Sequence, residues 1–213
     1  MASQVLPLEQ LPAWLNAIAA RLNSQSYAVP LRRCAESVRS ATKRNFARGQ
    51  GPNGQTWPPL RFARVRGGGG QKPLRDTGLL MASVTTKGAK GAIESITDSL
   101  LRIGTNLDRA ALHQHGGILR PKGKALAIPL TRQALAAGRP GRMANLELVW
   151  PKGSKTGWLV ERKGGKRART TMHWLLVPRV TIPARPFLGW NDSMANECGL
   201  IVSEWTEQEM AKV

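Results

Sequence analysis

Between Leu74 and Gly117 the chain changes its apolar rhythm several times in quick succession, and this block limits the fold more than any other stretch. Asp76-Thr77-Gly78 is a turn or helix-start cluster, with Asp76 the expected N-cap of a helical turn beginning at Thr77. Leu79, Leu80, Met81, Ala82 and Val84 follow as an apolar run. Val84-Thr85-Thr86 reads as strand, Lys87 to Gly91 as turn and Ile93 to Thr97 as strand. Asp98-Ser99 turns the chain and Leu100 to Ile103 returns it. Gly104-Thr105-Asn106 breaks that strand. Asp108 to His115 reads as a short helix stopped by Gly116-Gly117. Such a helix–hairpin–helix piece belongs to an α+β core.

Helices flank it. Leu8, Leu11, Leu15, Ile18 and Leu22 recur at helical spacing, which predicts a helix from about Pro12 to Asn23. Pro12 must lie in its first turn, because in the interior it costs about 3 kcal/mol. Pro30 is expected to open a second helix. There Leu31, Cys34, Ala35, Val38, Ala41, Thr42 and Phe46 form one side, and Arg32, Arg33, Arg39, Lys43, Arg44 and Arg48 the other. Gly49 ends it. Residues 49–73 read as loop, with Gly67–Gly70 as an arm and Trp57-Pro58-Pro59 as a plug. At the far end, Asn191 is expected to cap a final helix in which Met194, Cys198, Ile201, Val202 and Trp205 share a face.

Residues 120–181 read as a strand-rich insertion. Its strands are expected at 125–130, 146–150, 158–161 and 172–177, with a basic hairpin tip holding Arg162, Lys163, Lys166, Arg167 and Arg169. Trp150, Trp158 and Trp174 lie nearby. Alternating tryptophans on strands more often serve a core or an interface than a nucleic-acid surface. Pro183 and Pro186 keep residues 182–189 extended. The expected class is α+β, with N-terminal helices, an antiparallel β-sheet core carrying the basic insertion, and a C-terminal helix. Its parts are an N-terminal helical segment at 1–28, a core formed by 29–119 and 182–213, and the insertion at 120–181.

Charge bounds the partners. The 213 residues carry a net charge of +19. Residues 32–75 hold 11 basic and 1 acidic side chains, and residues 120–185 hold 15 and 2. Residues 76–119 are balanced at 4 and 4, whereas 186–213 hold 1 basic and 5 acidic. Two basic zones therefore flank a neutral block, and the end is acidic. Such a field favours a polyanion or an acidic protein surface; the plain alternative is a solvated face. A hydrophobic content of 41% suits a packed domain rather than a disordered chain. No apolar stretch approaches the ~20 residues of a membrane span, and residues 1–10 lack the pattern of a secretory signal. Cys34 and Cys198 sit on apolar helix faces, as buried thiols of a reducing compartment do.

Catalysis finds no template. Asp76, Thr77 and His113 are a carboxylate, a hydroxyl and an imidazole without an elbow or oxyanion motif around them. His113 and His115 diverge by roughly 200° on a helix and cannot clamp one metal. No cofactor fingerprint is present, so no catalytic or metal-ligating residue and no cofactor is expected. His113 reads as a helix-terminus residue.

Several motifs nonetheless stand in a familiar order. Gly51-Pro52-Asn53-Gly54-Gln55-Thr56-Trp57-Pro58-Pro59 is followed by Leu74-Arg75-Asp76-Thr77-Gly78, by Ile103-Gly104-Thr105-Asn106, by His113-Gln114-His115-Gly116-Gly117 and by Ile182-Pro183-Ala184-Arg185-Pro186-Phe187-Leu188-Gly189. Over roughly residues 29–205 this resembles the phage virion morphogenesis family, the tail-completion proteins of contractile-tailed, Mu-like phages. The family's aromatic residues around its HQ pair are replaced here by Arg109-Ala110-Ala111-Leu112 and His115. The resemblance implies a structural virion protein of the neck or tail end, made in the host cytoplasm, that forms a hexameric ring round the DNA conduit and joins heads to tails. It implies as partners other copies of the chain, tail tube or terminator and connector proteins, and DNA contacted without regard to sequence. Trp57, Asp76, Thr77, Gly78, His113, Gln114, Gly116, Gly117, Pro183, Arg185, Pro186 and Phe187 are then structural signature residues. Arg32, Arg39, Lys43 and Arg44 are candidates to face DNA, and the basic tip is a candidate partner contact. A stand-alone basic nucleic-acid-binding protein fits the charge equally well; a metal-dependent nuclease lacks clustered acids.

Overall fold

The computed structural model describes residues 11–24, 26–60, 72–164 and 169–212. The glycine run Gly67–Gly70 and the tip residues Lys166 and Arg167 lie outside them. The fold is α+β, and the chain divides into two compact units.

The first unit comprises residues 1–55, 77–108 and 187–213. Its helices are α1 (Leu11–Ser24), α2 (Ala28–Arg48), α3 (Leu79–Thr85) and α6 (Asp192–Met210), and its strands β1 (Ala92–Ile96) and β2 (Leu101–Thr105) form an antiparallel hairpin. Helix α2 starts two residues earlier than Pro30 suggests: the amide of Tyr27, its N-cap, donates to the Asp98 carbonyl, and Pro30 occupies the first turn, where no N–H is needed. Gly49 closes α2 at φ 74°, the left-handed region that glycine enters without steric cost. Cys34 and Val38 of α2 meet Cys198 of α6 over Leu101, Ile103, Ile201 and Val202. Phe46 packs on Phe187 at 6.0 Å between ring centroids, and Tyr27 on Trp205 at 5.0 Å. The Asn191 side chain caps α6 by accepting from the Met194 amide at 2.9 Å.

Four expectations fail in this unit. Gly104 and Thr105 do not break the returning strand: β2 runs through both, with Gly104 paired to Ile93 and Thr105 to Ala92. Val84 and Thr85 belong to α3, not to a strand. The Ser83 and Thr85 hydroxyls donate to the Leu80 and Met81 carbonyls, so the helix satisfies side chains that would otherwise favour extended backbone. Asp76 does not cap α3; Gly78, at φ 77°, stands at its N-cap. Arg39 does not share the exposed side of α2. It is 5% exposed and ion-paired with Glu36 of its own helix and with Glu94 of β1.

The second unit comprises residues 56–76 and 109–186. It holds α4 (Ala110–His115), a two-stranded pair of β3 (Gly117–Leu119) with β8 (Val180–Ile182), and a four-stranded antiparallel sheet. The sheet contains β4 (Leu126–Pro129), β5 (Glu147–Val149), β6 (Gly157–Lys163) and β7 (Arg169–Val177), in the order β4-β7-β6-β5. A short helix, α5 (Arg132–Ala137), packs on β4 and β7 and buries Ala134 beside a core that includes Trp174, Val160 and Val177. Neither α5 nor the β3–β8 pair is foreshadowed by periodicity. His173 and Trp174 are adjacent and both buried, which strict alternation forbids. The register explains it: Leu159 faces Trp174 but Val160 faces Met172, so His173 is the extra residue of a bulge.

Candidate assembly site

Three motifs far apart in sequence converge in the second unit. Pro58 and Pro59 carry carbonyls but no amide hydrogens, and proline's fixed φ holds such a segment extended. The Arg185 guanidinium uses them as paired acceptors: Nε donates to the Pro58 carbonyl and a terminal nitrogen to that of Pro59, both at 2.8 Å. Arg185 is only 4% exposed, so this planar fork works away from solvent screening. Its own amide donates to the His113 carbonyl at 2.8 Å. Next to it, the buried Trp57 ring donates from Nε1 to the Pro186 carbonyl at 2.8 Å. Trp57 is thus a plug seated in its own unit.

Two glycines allow the crossing. Gly116 has φ 73°, and a Cβ there would lie 2.7 Å from the Ala184 amide nitrogen and 3.0 Å from the Ile182 carbonyl oxygen. Gly117 has φ 157° and opens β3 opposite Ile182; a Cβ there would meet the Leu112 side chain at 2.8 Å. Gln114 is half-buried, and Pro183 is exposed just after β8. The first unit repeats the theme. The Asn191 side chain donates to the Pro52 carbonyl, and a Cβ on Gly189 would come within 2.9 Å of the Pro52 ring. Asp76 and Thr77 are exposed, and Phe187 is buried against Phe46.

The basic candidates separate into kinds. Arg32, Lys43 and Arg44 are exposed on α2. Arg39, as described above, is buried between two carboxylates and offers its charge to neither solvent nor a ligand. At the end of the β6–β7 hairpin, Arg162 pairs with Glu147 at 3.1 Å and Lys163 with Glu161 at 3.2 Å; Arg169 is exposed opposite Lys163.

One constellation escaped sequence reasoning. His173 Nδ1 lies 2.8 Å from the Thr131 hydroxyl and Nε2 lies 3.3 Å from a Glu161 carboxylate oxygen. Burial pushes the Glu161 carboxyl up, but hydrogen bonds from Lys163 and His173 outweigh it and hold the group below the ordinary glutamate range. The order carboxylate–imidazole–hydroxyl is that of a nucleophilic triad, yet the Thr131 oxygen caps α5 by accepting from the Ala134 amide at 3.1 Å. Its chemistry is that of a buried strut tying β6, β7 and α5 together. Nothing in the sequence foreshadows it: the bulge that turns His173 inward beside Trp174 is visible only from the register of β6 and β7. Among the described residues, no group of three or more His, Cys, Asp or Glu is arranged to hold a metal, and no helix is long and apolar enough to cross a membrane.

Comparison with curated proteins and with solved structures gives no significant match. A family profile does match, over residues 6–148, which includes Trp57, the 76–78 turn and the 113–117 segment but stops short of Arg185. With more than half its length matched, the chain belongs to the phage virion morphogenesis family.

Proposed function

We propose that this chain is a tail-completion subunit. Copies assemble as a ring at the head-proximal end of the tail, with the six-fold symmetry the resemblance implies, surround the DNA conduit, and join heads to tails. The observation that carries this reading is how the signature side chains are used. Trp57 and Arg185 direct polar groups onto main-chain carbonyls, and Gly116 admits another backbone. The motifs build a shape rather than a reacting centre, as a part in an assembly requires. The protein then acts as a structural component of the virion neck, not as a catalyst, and meets tail tube or terminator and connector proteins. The exposed Arg32, Lys43 and Arg44 of α2 suit a phosphate surface. The hairpin end with Arg162, Lys163 and Arg169 suits an acidic protein partner.

Contact with DNA in the lumen is sequence-independent and weakens with salt, with a slope of about −0.9 per phosphate neutralised. The test reverses Lys43 and Arg44 to glutamate in a phage and scores ring formation, DNA-filled heads and joined virions separately. Intact rings with fewer joined, DNA-retaining virions are expected. Normal virions from this variant, with head–tail joining lost when Lys166 and Arg167 are reversed, would move the contact to the hairpin. A chain that binds DNA alone and never enters virions would instead be a stand-alone nucleic-acid-binding protein.

A further inference from the structure

An apolar groove of about 500 Å³ opens on the first unit, lined by Leu31, Cys34, Leu101, Trp190, Cys198 and Val202 among others. Trp190 is 56% exposed there, and Leu200 of α6 is 63% exposed. Helix α6 carries five acidic residues and no basic one, in a chain whose net charge is +19. Four of the five, Asp192, Glu197, Glu204 and Glu207, are exposed. On the α2 wall Arg33 already meets Glu204 at 3.8 Å, which leaves Asp192, Glu197 and Glu207 as the acids of α6 for a partner; an apolar floor on that helix calls for an apolar and basic occupant.

The second unit presents one. Strand β5 is a three-residue edge strand, so among the described residues one side of it has no strand neighbour in the sheet. Leu148 is 62% exposed and Trp150 45%. Two residues apart on an extended segment, they project to the same side. Trp150 is held in place: its ring covers Gly157, where a Cβ would run into it, and its Nε1 donates to the Ser154 carbonyl at 2.9 Å. A fixed aromatic loses little entropy on docking. Lys152 and Lys155 follow, both exposed, with no acid between Pro151 and Val160.

We infer that the Leu148–Lys155 knob of one copy seats in the α2–α6 groove of the next copy. This rests on the ring reading above and names the contact that would build the ring. Apolar meets apolar, and the knob lysines face the acids of α6. Because knob and groove are different patches, the contact is head-to-tail, the kind that repeats until a ring closes. It also gives +19 chains a local attraction against their mutual repulsion.

Sedimentation velocity on the full chain, over rising concentration, tests it. Trp150→Ala removes the knob's anchor. Gly199→Trp fills the groove at an exposed helical site where a Cβ meets nothing within 4 Å. Each variant alone is expected to associate at least about tenfold more weakly than wild type, as loss of a central aromatic contact does. An equimolar mixture is expected to stop at dimers, since only one intact knob then finds one intact groove. Lys152→Glu with Lys155→Glu, which leaves Trp150 packed, must weaken assembly as well. If wild type assembles and any of these variants assembles equally tightly, the inference is overturned while the ring reading stands. If wild type stays monomeric at every concentration and on isolated tail ends, both fall.

Discussion

Arg185 holds Pro58 by a hydrogen bond of 2.8 Å from Nε to the proline carbonyl, and the same guanidinium reaches the Pro59 carbonyl at the same distance. A side chain from the IPARPF motif thereby fixes the backbone of the WPP motif, while its own amide holds the end of α4. The second unit closes on itself through one buried fork.

Arg185→Lys tests the fork. Lysine keeps the charge but cannot present two coplanar donors. One carbonyl then loses its partner inside the fold, which costs about 1–3 kcal/mol. Urea unfolding should show a lower midpoint with unchanged slope. A midpoint equal to wild type would mean that the clamp contributes nothing to stability.

How much of this could be read from the residues depends on whether the cause is local. Asn191 as the cap of α6, Gly49 as the stop of α2 and the hairpin's turn and first strand follow from nearby chemistry, and all were legible; that β2 continues through Gly104 and Thr105 was not. The Arg185 clamp was not, because its acceptors are main-chain carbonyls that every residue carries. The motif order pointed to the right residues without indicating what they touch. Helical phase alone sets Arg39 among the solvated cations, because its partner Glu94 sits on another element. The strand reading of 84–86 fails because Val84 and Thr85, which favour strands in isolation, stay helical where the Ser83 and Thr85 hydroxyls bond to the preceding turn; only Thr86, the C-cap of α3, is extended. α5, with six residues, is too short for a period to emerge.

Gly116 and Gly117 should respond differently to alanine. At Gly116 the added Cβ meets backbone atoms that cannot swing away, at a φ that already disfavours a side chain. At Gly117 it meets the tip of Leu112, which can rotate. Gly116→Ala should cost about 2 kcal/mol or more, given 1–3 kcal/mol for the strained backbone alone, and Gly117→Ala clearly less. Thermal melts of the two variants check the order; equal losses would refute it. Gly117→Val should be worse than Gly117→Ala, because a branched side chain resists φ 157°.

Acid should weaken the sheet unit through Glu161. Its carboxyl is held below the ordinary value of 4.5 in the folded chain. A group depressed in this way contributes stability that is fully present above the unfolded value and is lost as pH falls through the folded one. The affected window therefore runs downward from about pH 4.5. Glu161→Gln should flatten the stability–pH curve there. A curve of unchanged steepness would assign the acid loss to other carboxylates.

Arg39 and Lys43 stand one helical turn apart on α2 and should fail in opposite ways. Arg39 is 5% exposed between Glu36 and Glu94, and the Glu94 side chain is 16% exposed. Removing the cation leaves the poorly solvated Glu94 with only the exposed Lys87, 3.8 Å away, a loss toward the lower end of the about 3–5 kcal/mol for a broken buried pair. Lys43 is exposed, and a solvated surface charge contributes within about 0.5 kcal/mol. Arg39→Ala should therefore lower the melting temperature sharply. Replacing Glu94 as well, with Arg39→Met and Glu94→Leu, should recover much of the loss, since no unpaired charge is left inside. Lys43→Glu should melt like wild type and reveal itself only in assays of DNA contact, as a shallower dependence of binding on salt. If Arg39→Ala keeps its stability and loses DNA contact instead, then the guanidinium reaches phosphate in the assembled ring and the buried ion pair is not its working state.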